Sequence, residues 1–149
     1  MCPTCLRPLI PDHVAGWTTH LPRTPVISII DDDESVRVAT RSLVRSLGFI
    51  AHTFESAEQF LASPRLNDSS CVISDIRMPT MSGVDLQKHL LSQGRHIPII
   101  FITAFPDEGV EARVMSAGAI AFLSKPFYGK TLIDCIEAAL KRAAKPDGT

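Results

Sequence analysis

Cys71-Val72-Ile73-Ser74-Asp75-Ile76-Arg77-Met78-Pro79, with Gly83 just beyond, is the stretch that decides the fold. Residues 71–74 are short and mostly apolar, the make-up of a strand buried on both faces. Asp75 stands where that strand should stop. Pro79 has no N–H to give to a sheet ladder, and Gly83 permits a backbone path that other residues resist. In an open α/β sheet, a carboxylate at the C-terminal end of a strand faces the crevice where ligands collect. Taken alone, Asp75 more simply starts a turn. The flanking segments choose between the two readings.

Upstream, Val26-Ile27-Ser28-Ile29-Ile30 has the same buried-strand character and runs directly into Asp31-Asp32-Asp33-Glu34. Val36, Ala39, Leu43 and Leu47 then recur at helical spacing, and Gly48 supplies a stop. A second strand is expected around residues 49–54. Ser56 with Gln59 makes a capping box for a short helix carrying Phe60 and Leu61, and residues 64–69 read as a loop. Downstream of Gly83, Val84, Leu86, Leu90 and Leu91 predict an amphipathic helix ending near Gly94. Residues 97–102 form a fourth strand ending at Thr103. Val110 and Val114 line another helix, stopped by Gly118. Residues 120–123 form a fifth strand ending at Ser124-Lys125-Pro126, and Leu132, Ile136 and Leu140 mark a last helix. Strand and helix alternate five times. Short, continuously apolar strands in that alternation predict an α/β fold with a doubly wound five-stranded parallel sheet.

The chain has 149 residues, enough for one domain with a real core. Apolar residues make up 45% of it and the net charge is −1, which excludes a disordered polar chain and gives no general attraction to nucleic acid. No apolar run is long enough to span a bilayer. The N-terminus lacks a continuous apolar signal-peptide core, so a cytoplasmic location with reduced thiols is expected. Residues 1–24 carry Pro3, Pro8, Pro11 and Pro22 without periodicity and read as a flexible tail, apart from a domain over residues 25–149. Cys2 and Cys5 form one C-x-x-C, but His13 and His20 do not complete the usual zinc spacing. Cys71 and Cys135 lie in apolar segments and read as small core hydrophobes.

In a parallel sheet the C-terminal ends of all strands lie on one edge. That edge would collect Asp31 and Asp32 from the first strand, Asp75 from the third, Thr103 from the fourth and Lys125 from the fifth. Three carboxylates there repel one another, and a hard divalent cation such as Mg²⁺ relieves the repulsion. One nucleophilic carboxylate, one metal, one hydroxyl and one ammonium suit phosphoryl transfer onto Asp. Each residue also has a bland reading. Asp31 and Asp32 would be helix N-terminal acids, Thr103 a strand-end hydroxyl, Lys125 a solvated charge and Phe122 a core aromatic. Asp33 and Glu34 read as helix-capping residues.

The motifs Asp31-Asp32, Asp75-x-x-Met78-Pro79-x-Met81-Ser82-Gly83, Ile102-Thr103-Ala104, Ser116-Ala117-Gly118-Ala119 and Leu123-Ser124-Lys125-Pro126-Phe127 occur in that order. Over about residues 25–144 they resemble the receiver domain of bacterial two-component response regulators, in particular receivers of the FixJ class, the sort that often precede a helix-turn-helix output domain. The resemblance implies a flavodoxin-like (βα)5 fold with strand order 2-1-3-4-5. It implies that Asp75 is the phosphoacceptor, and that Mg²⁺ is held by Asp31, Asp32, Asp75 and the backbone carbonyl of Arg77. Thr103 would hydrogen-bond the phosphoryl group, Lys125 would pair with a phosphate oxygen, and Phe122 would be the aromatic whose rotamer reports activation. Arg77 and Phe105 would flank the acyl phosphate, and the Lys125-Pro126 bond would be cis.

The implied partners are a sensor histidine kinase or phosphotransfer protein upstream. Downstream they are another protein or a second copy, engaged through the face of the fourth helix, fifth strand and fifth helix. No direct nucleic-acid or membrane binding is implied. The chain would not be an enzyme beyond self-phosphorylation from small phosphodonors and self-dephosphorylation. With nothing after the fifth helix, a stand-alone switch is expected; the alternatives are a phosphate sink or shuttle in a phosphorelay, or the receiver fragment of a longer transcription regulator. A hydrolase of the aspartyl-phosphate type is the competing class. That chemistry usually wants a second Asp two residues after the nucleophile, where this chain has Arg77.

Overall fold

The computed structural model describes residues 24–143. The expectations for the tail, including Cys2 and Cys5, fall outside these residues. The elements are β1 Val26–Ile30, α1 Glu34–Ser46, β2 Ile50–Phe54, α2 Ala57–Leu61, β3 Cys71–Asp75, α3 Gly83–Ser92, β4 Ile99–Thr103, α4 Glu108–Ser116, β5 Ala121–Ser124 and α5 Gly129–Ala143. The five strands form one parallel sheet in the order β2-β1-β3-β4-β5, as expected.

The alternation of side chains along each strand builds two cores. Ile27, Ile29, Ile73, Ile100 and Ile102 point to one face and pack with Val44 of α1 and Leu132, Ile136 and Ala139 of α5. Ile30, Val72 and Phe101 point to the other and pack with Phe60 of α2, Leu86 and Leu90 of α3 and Val114 of α4. Both faces are covered, so the central strands β3 and β4 are buried along their whole length. Cys71 sits in the first core with its thiol pushed up to about 12 by burial, which makes it an inert small hydrophobe.

Local chemistry sets where the helices start. Asp33 is the N-cap of α1 and accepts from the Ser35 and Val36 N–H groups. Ser82 and Asp85 form a complete capping box on α3. Ser56 caps α2, but Gln59 accepts from the Glu55 N–H rather than from Ser56 itself. Three boundaries differ from the expectations. β4 begins at Ile99, two residues late, because Pro98 has no N–H for a ladder and contributes only its carbonyl, to Val72. β5 lies one residue later than expected. The 64–69 loop contains a 3₁₀ turn, Pro64–Leu66, with Pro64 in the opening position that tolerates its missing N–H. The Gln87 amide, buried, donates to the Val114 carbonyl at 3.0 Å and ties α3 to α4.

Candidate functional site

Parallel register brings the site together. Ile30 pairs with Ser74, so the next residues, Asp31 and Asp75, are neighbours. Asp75 pairs with Ile102, which sets Thr103 beside the loop that follows Asp75. Thr103 pairs with Ser124, so Lys125 arrives at the same edge. Of the expected residues, Asp31, Asp32, Asp75, Thr103 and Lys125 therefore meet at one edge.

Asp31 is fully buried and Asp75 nearly so, while Asp32 is exposed. One carboxylate oxygen from each lies within 4.8 Å of the others. The Lys125 ammonium donates to Asp31 Oδ2 at 3.0 Å and to Asp75 Oδ2 at 3.4 Å. Asp31 Oδ1 accepts from the Asp33 N–H, and the Arg37 guanidinium braces the Asp31 carbonyl at 2.7 Å. The Arg77 N–H points at Asp75 Oδ1 from 3.4 Å. Thr103 Oγ1 accepts from the Phe105 N–H at 3.0 Å, which leaves its own hydroxyl proton to give elsewhere. Phe122 lies off the acidic edge, half-buried beside Phe101 against the α2–α4 core. The Lys125-Pro126 bond is cis.

Sequence reasoning missed the Arg37 brace and the stacking of Arg77 over Phe105. The guanidinium carbon lies 4.8 Å from the ring centroid. Neither has a local signature, because each partner comes from outside its own element.

Charge at the site is unbalanced. Burial, and then the charge of Asp31, push the Asp75 carboxyl up to about 6, although Lys125 pulls it back. Burial alone would lower the Lys125 ammonium, but its hydrogen bond to Asp31 and the charges of Asp31 and Asp75 raise it overall. Three carboxylates thus face one ammonium. The donor set is all hard oxygen, which fits a cation of the Mg²⁺ or Ca²⁺ type and not a thiolate-seeking metal.

This imbalance has a thermodynamic signature. Asp75 holds its proton more tightly in the folded chain than its ordinary 3.8. The protonated form therefore favours folding at low pH, and that contribution is lost as pH rises through about 6. In metal-free protein at neutral pH the ionised carboxylate is a net strain. Asp75→Asn should stabilise that form by about 1 kcal/mol after allowance for solvent screening, or roughly 3–6 °C in melting temperature. Calorimetry should show the gap closing near pH 4 and on addition of Mg²⁺. A gap that persists at pH 4 would contradict the electrostatic account.

A family model described as the response regulator receiver domain matches residues 27–137. Response regulator protein TodT of Pseudomonas putida is 45% identical over 121 residues, covering 81% of this chain and 53% of its own length. Nodulation protein W of Bradyrhizobium diazoefficiens is 38% identical over 130 residues, covering 87% of this chain and 57% of its own. The chain spans about half the length of the curated relatives it matches. Among solved structures, response regulator StyR superposes with a TM-score of 0.76 at 45% identity, covering 82% of this chain and 62% of its own. FixJ-N superposes with a TM-score of 0.72 at 35% identity, covering 80% of this chain and 96% of its own.

Proposed function

The chain belongs to the response regulator receiver domain family, and from that premise we propose that it is a phosphorylation-controlled signalling switch that accepts a phosphoryl group on Asp75. Receiver-domain response regulators are signalling proteins, and Arg77 stands where an aspartyl-phosphate hydrolase would want its second Asp. The domain is assigned to residues 25–149. The observation that carries the reading is the single ammonium of Lys125 shared between buried Asp31 and Asp75, with Asp32 and Thr103 at the same edge.

A carboxylate oxygen of Asp75 forms a bond to phosphorus as the donor's P–N or P–O bond breaks. The leaving group departs as the imidazole of a phosphohistidine or as acetate. Asp31, Asp32, Asp75 and the Arg77 carbonyl are the residues proposed to hold Mg²⁺, which when bound neutralises charge on the transferred group. Lys125 exchanges a carboxylate for a phosphoryl oxygen, and Thr103 turns its unused hydroxyl proton toward the same group.

The donor is a sensor histidine kinase or phosphotransfer protein. The output face is α4, β5 and α5, to which Thr103 and Phe122 pass the change. Met115, Asp134, Glu137 and Lys141 are exposed on α4 and α5, a mixture that suits a modest, partly polar interface with a second copy or another protein, while Arg113 lines the groove between α4 and the start of α3. Because the matched stretch covers only 53% and 57% of two curated relatives, an output unit on the same polypeptide is the second reading for that face. Among the described residues no helix is long and apolar enough to cross a membrane; a cytoplasmic location fits the proposed role.

Beryllofluoride with Mg²⁺ imitates the phosphoryl group. It is expected to change hydrogen-exchange protection on α4 and α5 and to promote self-association in the ultracentrifuge or capture of a partner. No response in any of these assays would replace the switch with a phosphate sink, even with Asp75 phosphorylated.

A further inference from the structure

We propose that the Arg77 guanidinium is a ligand of the phosphoryl group on Asp75, and that the Phe105 ring holds this cation in reserve until the group arrives. The proposal rests on Asp75 as the acceptor and adds a side-chain role that the motif pattern does not contain. Arg77 and Phe105 come from different loops, after β3 and after β4. Each is tethered to one of the residues that bracket the incoming group. The Arg77 N–H points at Asp75 Oδ1, and the Phe105 N–H donates to Thr103 Oγ1.

The Phe105 ring is 62% exposed, so it contributes little to the core. What it does contact is the guanidinium, at 4.8 Å. No hydrogen bond or ion pair among the described residues uses that guanidinium, so the ring is its one specific partner there. An exposed cation–π contact of this kind is worth a preference of roughly two- to fivefold. A charge-assisted, forked contact to a phosphoryl group is worth roughly tenfold or more. The stronger contact wins once the phosphoryl group is present, and the cation leaves the ring. Phe105 then loses its partner. It stands two residues before Asp107, the N-cap of α4, so the exchange reaches the output helix as well as the acceptor.

The competing bland account is a surface stack with no role. Fluorine NMR titration of the full chain with beryllofluoride and Mg²⁺ separates the two. Arg77→Gln should weaken binding by the forked contact less the stack given up for it, at least roughly two- to fivefold, and Arg77→Lys, which keeps the charge without the fork, should recover part of the loss. Phe105→Leu should tighten binding roughly two- to fivefold, because nothing then competes for the cation. In an Arg77→Gln background the same Phe105→Leu change should do nothing. The Arg77 Nε–H resonance should leave its ring-shielded position on addition of the mimic. Wild-type binding with no loss in Arg77→Gln overturns the proposal. So does a Phe105→Leu effect that is absent, or that persists without Arg77. Failure of the wild type to bind the mimic at all overturns the acceptor reading, and the exchange with it.

Discussion

Asp75→Asn is expected to abolish phosphoryl uptake from acetyl phosphate and Mg²⁺, lowering the rate by at least roughly a thousandfold. Wild type should gain one phosphoryl group by mass, located at Asp75. The size of the effect follows from chemistry, not packing. A neutral amide offers no carboxylate oxygen to phosphorus and can form no acyl phosphate. Its shape is nearly unchanged, its oxygen can still accept from Lys125, and it is expected to fold as well as the wild type or better. Burial raises the Asp75 carboxyl only to about 6, so the residue remains mostly ionised, and hence nucleophilic, at neutral pH. Uptake by the variant at the wild-type rate would remove Asp75 from the role and leave the acidic edge without an acceptor.

Gly83→Ala should be the most damaging of the small substitutions. Gly83 does not take a left-handed conformation. It is needed for room. A Cβ there would run into the backbone carbonyl of Asp75, and would sit 3.0 Å from the Phe101 ring and 3.1 Å from Ile76 Cα. Two of those three neighbours are backbone and cannot rotate away. The Gly83 N–H also donates to the Ile76 carbonyl at 2.8 Å, which clamps the start of α3 against the end of β3. Overpacking of this kind costs about 1–3 kcal/mol, and a rigid backbone neighbour puts this case at the upper end. That is a large share of a typical domain's total stability. The expected result is a melting temperature lower by roughly 10 °C. Phosphoryl uptake should also be slowed, because the displaced atom belongs to Asp75, the proposed acceptor. A variant that melts with the wild type would show that α3 can shift without disturbing Asp75.

Much of this was legible in the sequence because it is written locally. A run such as Val26-Ile27-Ser28-Ile29-Ile30 is a strand in almost any setting that buries it, and Asp33 and Ser82 cap the helices they precede because the bonded N–H groups are two or three residues away. Five such units in alternation leave few arrangements other than a covered parallel sheet. That arrangement by itself sends Asp31, Asp32, Asp75, Thr103 and Lys125 to one edge.

What the local pattern left open depended on register and on contacts between distant segments. Asp31 and Asp32 are adjacent and chemically identical, yet one is sealed under Lys125 and the other faces solvent, because Asp31 continues a strand paired on both sides. Gly83 looked like a residue chosen for its conformational freedom; its neighbours show a residue chosen for the space it leaves. Phe105 read as a bulky flank of the site, and only the folded chain sets its ring under the Arg77 guanidinium. Backbone preference and helix capping act over a few residues, so the sequence by itself determined the elements, their order and the acidic edge. Burial, close approach and cation–π geometry act across the chain, so the tertiary structure alone decided which of those residues is shielded, clamped or stacked.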